Sequence, residues 1–173
     1  MIESLTLLLP DAAATHQLGH LLGRSLPAGT ILLLQGNLGS GKTTLVQGLG
    51  ESLGITEAIV SPTFTLISEY PEGRIPLYHL DLYRLDPTEV EVLHVESYWD
   101  GLEFPLGIVA IEWAERLPEL PLEYLRIELA PTEQGSRTAH LNAVSPAGKF
   151  QNGFSLGLLQ PALQPFLARS QNG

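Results

Sequence analysis

The chain contains no cysteine. That absence excludes disulfides, thiolate metal sites and a cysteine nucleophile, so any metal must be held by oxygen or imidazole ligands. Lysine is scarce as well. Lys42 and Lys149 are the only ones in 173 residues, and 9 Lys+Arg face 19 Asp+Glu for a formal net charge of −10. Such a surface repels nucleic acid, and no cluster of Lys and Arg offers the contacts that gripping a tRNA or DNA backbone requires. No apolar run reaches the length of a membrane span, and the start Met1-Ile2-Glu3-Ser4 lacks the basic residues of a secretion signal. These absences lead to the expectation of a cytoplasmic protein without membrane contact. Internal repeats and low-complexity linkers are also missing. With 44% hydrophobic and 16% charged residues, the length and composition suit one folded domain with a full core.

Against this background one segment stands out. The apolar run Ile31-Leu32-Leu33-Leu34 is followed by Gly36-Asn37-Leu38-Gly39-Ser40-Gly41-Lys42-Thr43-Thr44, which fits G-x-x-x-x-G-K-[ST]. The combination reads as a phosphate-binding loop joining a buried strand to a helix. Its glycines let successive backbone N–H groups point inward at an anion. Lys42 supplies a mobile charge for β/γ-phosphates, Thr43 a hydroxyl for Mg²⁺, and the helix starting near Lys42 its positive dipole end. One of the two lysines is thus spent on a nucleotide rather than on a broad surface.

Around the loop, residues 4–9 read as a strand. Pro10-Asp11 opens a helix with Ala14, Leu18, Leu21 and Leu22 on one face. The unalternated run 30–34 is expected of a strand covered on both faces, and Leu45, Val46, Leu49 and Leu53 mark the buried stripe of the next helix, which Gly54 ends. Residues 64–70 and 75–83 read as a hairpin around Pro71-Glu72-Gly73-Arg74; period two puts His79 and Asp81 on one face and Tyr78, Leu80 and Leu82 on the other. Asp86-Pro87-Thr88-Glu89 resembles a capping box. Residues 107–111 form another apolar run, and 126–130 with 138–144 a late strand pair. The prediction is an α/β protein, a three-layer P-loop NTPase fold with a mainly parallel central sheet and antiparallel additions. A single P-loop ATPase domain spans residues 1–150. A C-terminal extension over 151–173 is helical or partly disordered, with Pro161 and Pro165 interrupting any helix.

A phosphate cradle alone does not hydrolyse a nucleotide. Mg²⁺ needs a few oxygen ligands and the attacking water must be oriented. Glu112 closes the run Ile108-Val109-Ala110-Ile111, and an acid at the carboxyl end of a parallel strand emerges where ligands bind. Glu112 is expected to contact Mg²⁺ directly or through water; the plainer alternative is an acid that caps the strand at the surface. Asp81, in Tyr78-His79-Leu80-Asp81-Leu82-Tyr83-Arg84, could orient a metal-bound water, with Arg84 neutralising it or reaching a phosphate. The same residues also suit a surface ion pair and a structural histidine. Thr63 in Ser61-Pro62-Thr63 could sense a γ-phosphate or be ordinary turn chemistry. Trp113 reads as packing or as part of a partner surface.

These segments together resemble the bacterial TsaE (YjeE) ATPases of tRNA threonylcarbamoyladenosine synthesis. The likeness lies in the phosphate loop, Ser61-Pro62-Thr63-Phe64-Thr65-Leu66, Tyr78-His79-Leu80-Asp81-Leu82-Tyr83-Arg84-Leu85 and Ile111-Glu112-Trp113, and runs from about residue 11 to 144. The resemblance implies an ATPase that binds ATP and Mg²⁺ and works with the TsaB and TsaD proteins, supporting turnover of the transferase complex without gripping tRNA strongly itself. It implies phosphate binding by Leu38, Gly39, Ser40, Gly41, Lys42, Thr43 and Thr44, Mg²⁺ ligation by Thr43 and Glu112, and catalytic roles for Lys42, Asp81 and Glu112. Thr15 and Arg137 are further candidates for nucleotide contact. Asn37 departs from the family pattern, where many members carry an acid; tuned affinity rather than lost activity is the expected result.

Two other classes fit the same loop. A small-molecule kinase would deliver the phosphate to a hydroxyl, although Arg74, Arg84 and Arg116 are isolated in sequence where a kinase lid would cluster them. A nucleotide-gated interaction module would need ATP binding without hydrolysis.

Overall fold

The computed structural model describes residues 2–167. β1 (Ile2–Leu9) leads into α1 (Ala12–Ser25), whose N-terminus Asp11 caps by accepting from the Ala14 amide at 2.8 Å. The buried strand β2 (Ile31–Gln35) feeds the glycine-rich loop and α2 (Lys42–Ser52). The hairpin β3 (Ile67–Tyr70) and β4 (Leu77–Asp81) follows. Next comes the short α3 (Pro87–Val92), which carries the capping box of Asp86 and Glu89 that its sequence predicts. β5 (Ile108–Glu112) and the antiparallel pair β6 (Tyr124–Pro131) and β7 (Arg137–Val144) complete the sheet.

The 7 strands run in the order β1-β7-β6-β2-β5-β4-β3. The centre, β6-β2-β5-β4, is parallel, and the antiparallel additions flank it. Side-chain alternation divides the central strands between two cores. Leu32, Leu34, Ile108 and Ala110 join Leu18 and Leu22 of α1 and Leu45 and Leu49 of α2 on one face. Ile31, Leu33, Val109 and Ile111 face Val90 of α3 and the turn residues Val95, Tyr98 and Ala114 on the other. Strands covered on both faces need no polar alternation, so β2 reads as an unbroken apolar run. The result is the three-layer P-loop NTPase arrangement.

Residues 151–167 do not form a separate appendage. Two 3-10 turns and α4 (Gln160–Leu163) succeed one another there, with Pro161 in the first turn of α4 and Pro165 in that of the 3-10 turn after it, where a missing N–H is tolerated. Phe154, Leu156, Leu159, Leu163 and Phe166 enter the same core as α1 and α2. The core therefore continues past the boundary drawn at residue 150; residues 168–173 lie outside the described part.

The parallel register sets the height at which the strands end. Asp81 of β4 lies opposite Glu112 of β5, and Glu112 lies opposite Leu34 of β2. Both acids therefore reach the rim at one level, beside the loop that follows β2.

α1 and α2 pack backbone to backbone. A methyl group at Gly19 would collide with the Leu45 carbonyl of α2, and one at Gly48 would collide with the His16 carbonyl of α1. Backbone cannot yield as a flexible side chain can. Gly48→Ala would gain up to about 1 kcal/mol of helix propensity and lose about 1–3 kcal/mol to overpacking. Loss wins, so the urea midpoint of Gly48→Ala is expected to fall, and an unchanged midpoint would show that the helices can separate freely.

Candidate functional site

The loop between β2 and α2 turns on glycines in the left-handed region, with φ +78° at Gly39 and +106° at Gly41. A Cβ at Gly39 would meet no atom within 4 Å, so its backbone conformation, not space, calls for glycine. Gly41 is also hemmed in, with the Thr15 methyl 3.3 Å from where its Cβ would stand. The turn and the first residues of α2 border a cavity of about 320 Å³. Leu38, Gly39, Ser40, Gly41, Lys42, Thr43 and Thr44 line it together with Ser61, Thr63, Asp81, Tyr83, Glu112, Trp113 and Arg137. Every site residue expected from the sequence is therefore in this cavity except Thr15. Thr15 is fully buried beneath Gly41, and its hydroxyl is turned 3.4 Å from the Asp11 carbonyl of its own helix.

Glu112 is 3% exposed, which excludes a merely surface-capping acid. Its Oε1 accepts from Thr43 Oγ1 at 2.8 Å and from His79 Nε2 at 2.8 Å. A helix start, the end of β5 and the interior of β4 are thereby joined at one oxygen. His79 itself is completely buried.

Asp81, 2% exposed, makes a second junction. Its Oδ2 accepts from Ser61 Oγ at 2.7 Å and from Thr63 Oγ1 at 3.1 Å, while Oδ1 accepts from the Tyr83 amide at 2.9 Å. The carboxylate clasps the segment 61–66, which closes on itself through Leu66 N–H donating to the Pro62 carbonyl at 2.7 Å. At the far side of that segment Phe64 is 81% exposed, with the Arg84 guanidinium 4.0 Å from its ring centre. Arg84 thus pairs with an aromatic ring rather than with Asp81.

Lys42 donates to the carbonyls of Gly36 at 2.6 Å and Asn37 at 3.1 Å, inside its own loop. The Trp113 ring covers it at 4.4 Å, and Tyr83 packs on that indole at 4.8 Å. Trp113 reaches this position from a left-handed backbone, φ +58°, a conformation that a bulky residue adopts at some cost. Burial lowers the pKa of the Lys42 ammonium from the usual lysine value, against the opposing pull of Glu112, Glu115 and Asp81. An anion in the cradle would supply the countercharge that burial withholds.

Mg²⁺ fits the oxygens present. Among the described residues no group of three or more His, Asp or Glu side chains could hold a metal unaided. A carboxylate and a hydroxyl completed by phosphate and water oxygens is, however, the usual arrangement for this ion. A larger cavity of about 810 Å³, walled by Val90, Val95, Trp99 and Leu120 and rimmed by Glu91 and Glu119, lies elsewhere. Its lining holds three glutamates and His94 but no Lys or Arg, so the smaller cavity is the candidate site for a phosphate.

The sequence model of the family described as "Threonylcarbamoyl adenosine biosynthesis protein TsaE" matches residues 9–139, from the end of β1 to the early part of β7. The chain belongs to the TsaE family. Relatives named tRNA threonylcarbamoyladenosine biosynthesis protein TsaE include one from Nostoc sp., 59% identical over 141 residues and covering 81% of this chain and 87% of its own. One from Synechocystis sp. is 64% identical over 119 residues, 69% of this chain and 76% of its own. The crystal structure of Bacillus subtilis YdiB superposes with a TM-score of 0.70 at 32% identity, covering 85% of this chain and 90% of that one. The stretch matched to TsaE contains both clusters, around Glu112 and around Asp81, but ends before the C-terminal turns that help close the core.

Sequence reasoning missed Ser61 and Tyr83, and it left His79 open between a structural residue and a ligand. Ser61 lies in a segment that carries the likeness, but nothing local tells of its bond to Asp81, 20 residues away. Period two did place His79 on the Asp81 face, and the β4–β5 register turns that face toward Glu112.

The clasp makes a measurable prediction. Asp81→Ala removes the acceptor for Ser61 and Thr63, and hydrogen bonds to a charged group are worth about 1.5–3 kcal/mol each. Amide exchange at Leu66 is therefore expected to quicken by about tenfold or more. Unchanged protection there would show that segment 61–66 is held by something else.

Proposed function

We propose that the chain is the ATP-binding and hydrolysing component of tRNA N6-threonylcarbamoyladenosine formation, supporting turnover of a TsaB–TsaD transferase complex in the cytoplasm. The process is the one for which its relatives are named. The observation that carries the ATPase part is the 2.8 Å bond between Thr43 Oγ1 and Glu112 Oε1 at the mouth of the phosphate loop. Consistent with a component that need not hold tRNA, the net charge is −10. Among the described residues no helix is long and apolar enough to cross a membrane.

In this reading the amides of residues 38–44 hold the phosphates, and Lys42 leaves the Gly36 and Asn37 carbonyls for the β/γ-phosphate oxygens. Arg137, at the start of β7, faces the same phosphates, while Thr15 acts from behind by supporting Gly41. Thr43 and Glu112 hold Mg²⁺, which when bound draws negative charge from the phosphate oxygens. Asp81 orients the attacking water once Thr63 has transferred its hydroxyl bond to the γ-phosphate, which opens the clasp on segment 61–66. Water adds to the γ-phosphorus as the bond to the β-phosphate oxygen breaks, giving ADP and phosphate.

Among the described residues Arg137 is the one arginine that lines the cavity. Arg74 is committed to the Gly23 carbonyl at 2.9 Å and Arg84 to Phe64. That leaves little with which to build the arginine-rich lid of a small-molecule kinase, the competing reading. It also predicts slow hydrolysis by the isolated chain, with a partner completing the site.

Lys42→Ala and Thr43→Ala are each expected to lower Mg²⁺-ATP hydrolysis by at least about a hundredfold, the scale of losing one preorganised charge or ligand contact. Glu112→Ala should impair hydrolysis more than nucleotide binding. Steady-state phosphate release with calorimetric binding checks both. Parent-like hydrolysis by the Lys42 and Thr43 variants, or a phosphorylated metabolite formed from labelled ATP, would overturn the proposal.

A further inference from the structure

His79 is the buried polar group in this site for which the proposed reaction has no use, and its two ring nitrogens differ. Nε2 lies 2.8 Å from Glu112 Oε1, whereas Nδ1 is buried with no hydrogen-bond partner among the described residues. A carboxylate oxygen only accepts, so Nε2 carries the proton and donates it. An N–H at Nδ1 would be a buried donor without an acceptor, which is far less tolerable than a bare lone pair. The geometry therefore assigns the ring hydrogen to Nε2, the Nε2–H tautomer.

That assignment determines the rest of the junction. Oε1 of Glu112 receives donors from both His79 and Thr43, which occupy its lone pairs. Because Oε1 only accepts, the Thr43 hydroxyl must spend its hydrogen there and leave its own lone pairs for the cavity. Among the described hydrogen bonds none reaches Glu112 Oε2. From this geometry we infer that His79 is a positioning residue for the cation site: by holding Oε1 it presents Oε2 as the single free carboxylate oxygen and fixes the polarity of the Thr43 hydroxyl. The inference rests on the proposed Mg²⁺-nucleotide reading of the same cavity. His79 touches neither nucleotide nor metal; it acts through Glu112, as outer partners of metal ligands commonly do.

Glutamine can place its Nε2 donor roughly where the histidine Nε2 stands, whereas leucine keeps the bulk and loses the donor. In calorimetric titration of ADP at varied Mg²⁺, His79→Leu is expected to raise the half-saturating Mg²⁺ about 10–100-fold, the usual cost of losing such a partner. Binding of ADP in EDTA should stay within about twofold, because the cradle is untouched, and His79→Gln should recover most of the Mg²⁺ response. An unchanged Mg²⁺ requirement in His79→Leu would overturn the inference, as would equal loss of binding with and without Mg²⁺.

The second readout needs neither nucleotide nor metal. Long-range ¹H–¹⁵N spectra of the parent protein labelled at histidine should show the Nε2–H tautomer at His79, and an Nδ1–H tautomer would refute the assignment even if the leucine variant failed to fold. Should the parent bind ADP with no Mg²⁺ dependence at all, the proposed function fails, and the spectrum still judges the tautomer separately.

Discussion

The bond from Thr43 to Glu112 depends on two pieces of geometry that must agree to within a fraction of an ångström. Thr43 is placed by the glycine-rich turn and the start of α2, while Glu112 is placed by the register of β5 between β2 and β4. If either the turn or the register moved by one residue, the hydroxyl and the carboxylate would no longer meet at 2.8 Å. The two cores serve this constraint. Alternating side chains lock β5 between layers, so its last residue cannot slide, and the glycine contacts between α1 and α2 fix the helix that carries Thr43.

The same register explains why two acids at one rim can do different work. Glu112 gathers Thr43 and His79, which belong to the rigid layers. Asp81 gathers Ser61 and Thr63, which belong to a surface segment with an exposed Phe64 at its tip. Both carboxylates end strands of the same sheet, but one gathers groups of the frame and the other groups of a surface segment. A nucleotide that competes for the Thr63 hydroxyl would alter that segment and what it presents to a partner, without disturbing the cradle.

Much of this was legible in the sequence because the signals are local. The phosphate loop, the caps at Asp11 and Asp86, the hairpin and the acid ending an apolar run each lie within a few residues. Pairings across the sheet were not legible, since period two assigns a face to His79 but says nothing of which strand lies beside it. The tail's share in the core was not legible for a related reason. Phe154, Leu156, Leu159 and Leu163 look like a weak helix broken by prolines, and only the gap they fill against α1 shows them to be core. Thr15 was placed near the nucleotide on a resemblance, whereas packing puts it behind Gly41.

What ties the site to its process is whether nucleotide turnover in this chain sustains the modification. The direct measurement is threonylcarbamoyladenosine formed per transferase complex in a reconstituted mixture of the chain with TsaB, TsaD, tRNA and activated threonylcarbamoyl donor. The account predicts many modifications per complex with ATP and about one or fewer with a non-hydrolysable analogue. Equal yields with ATP and the analogue would contradict it.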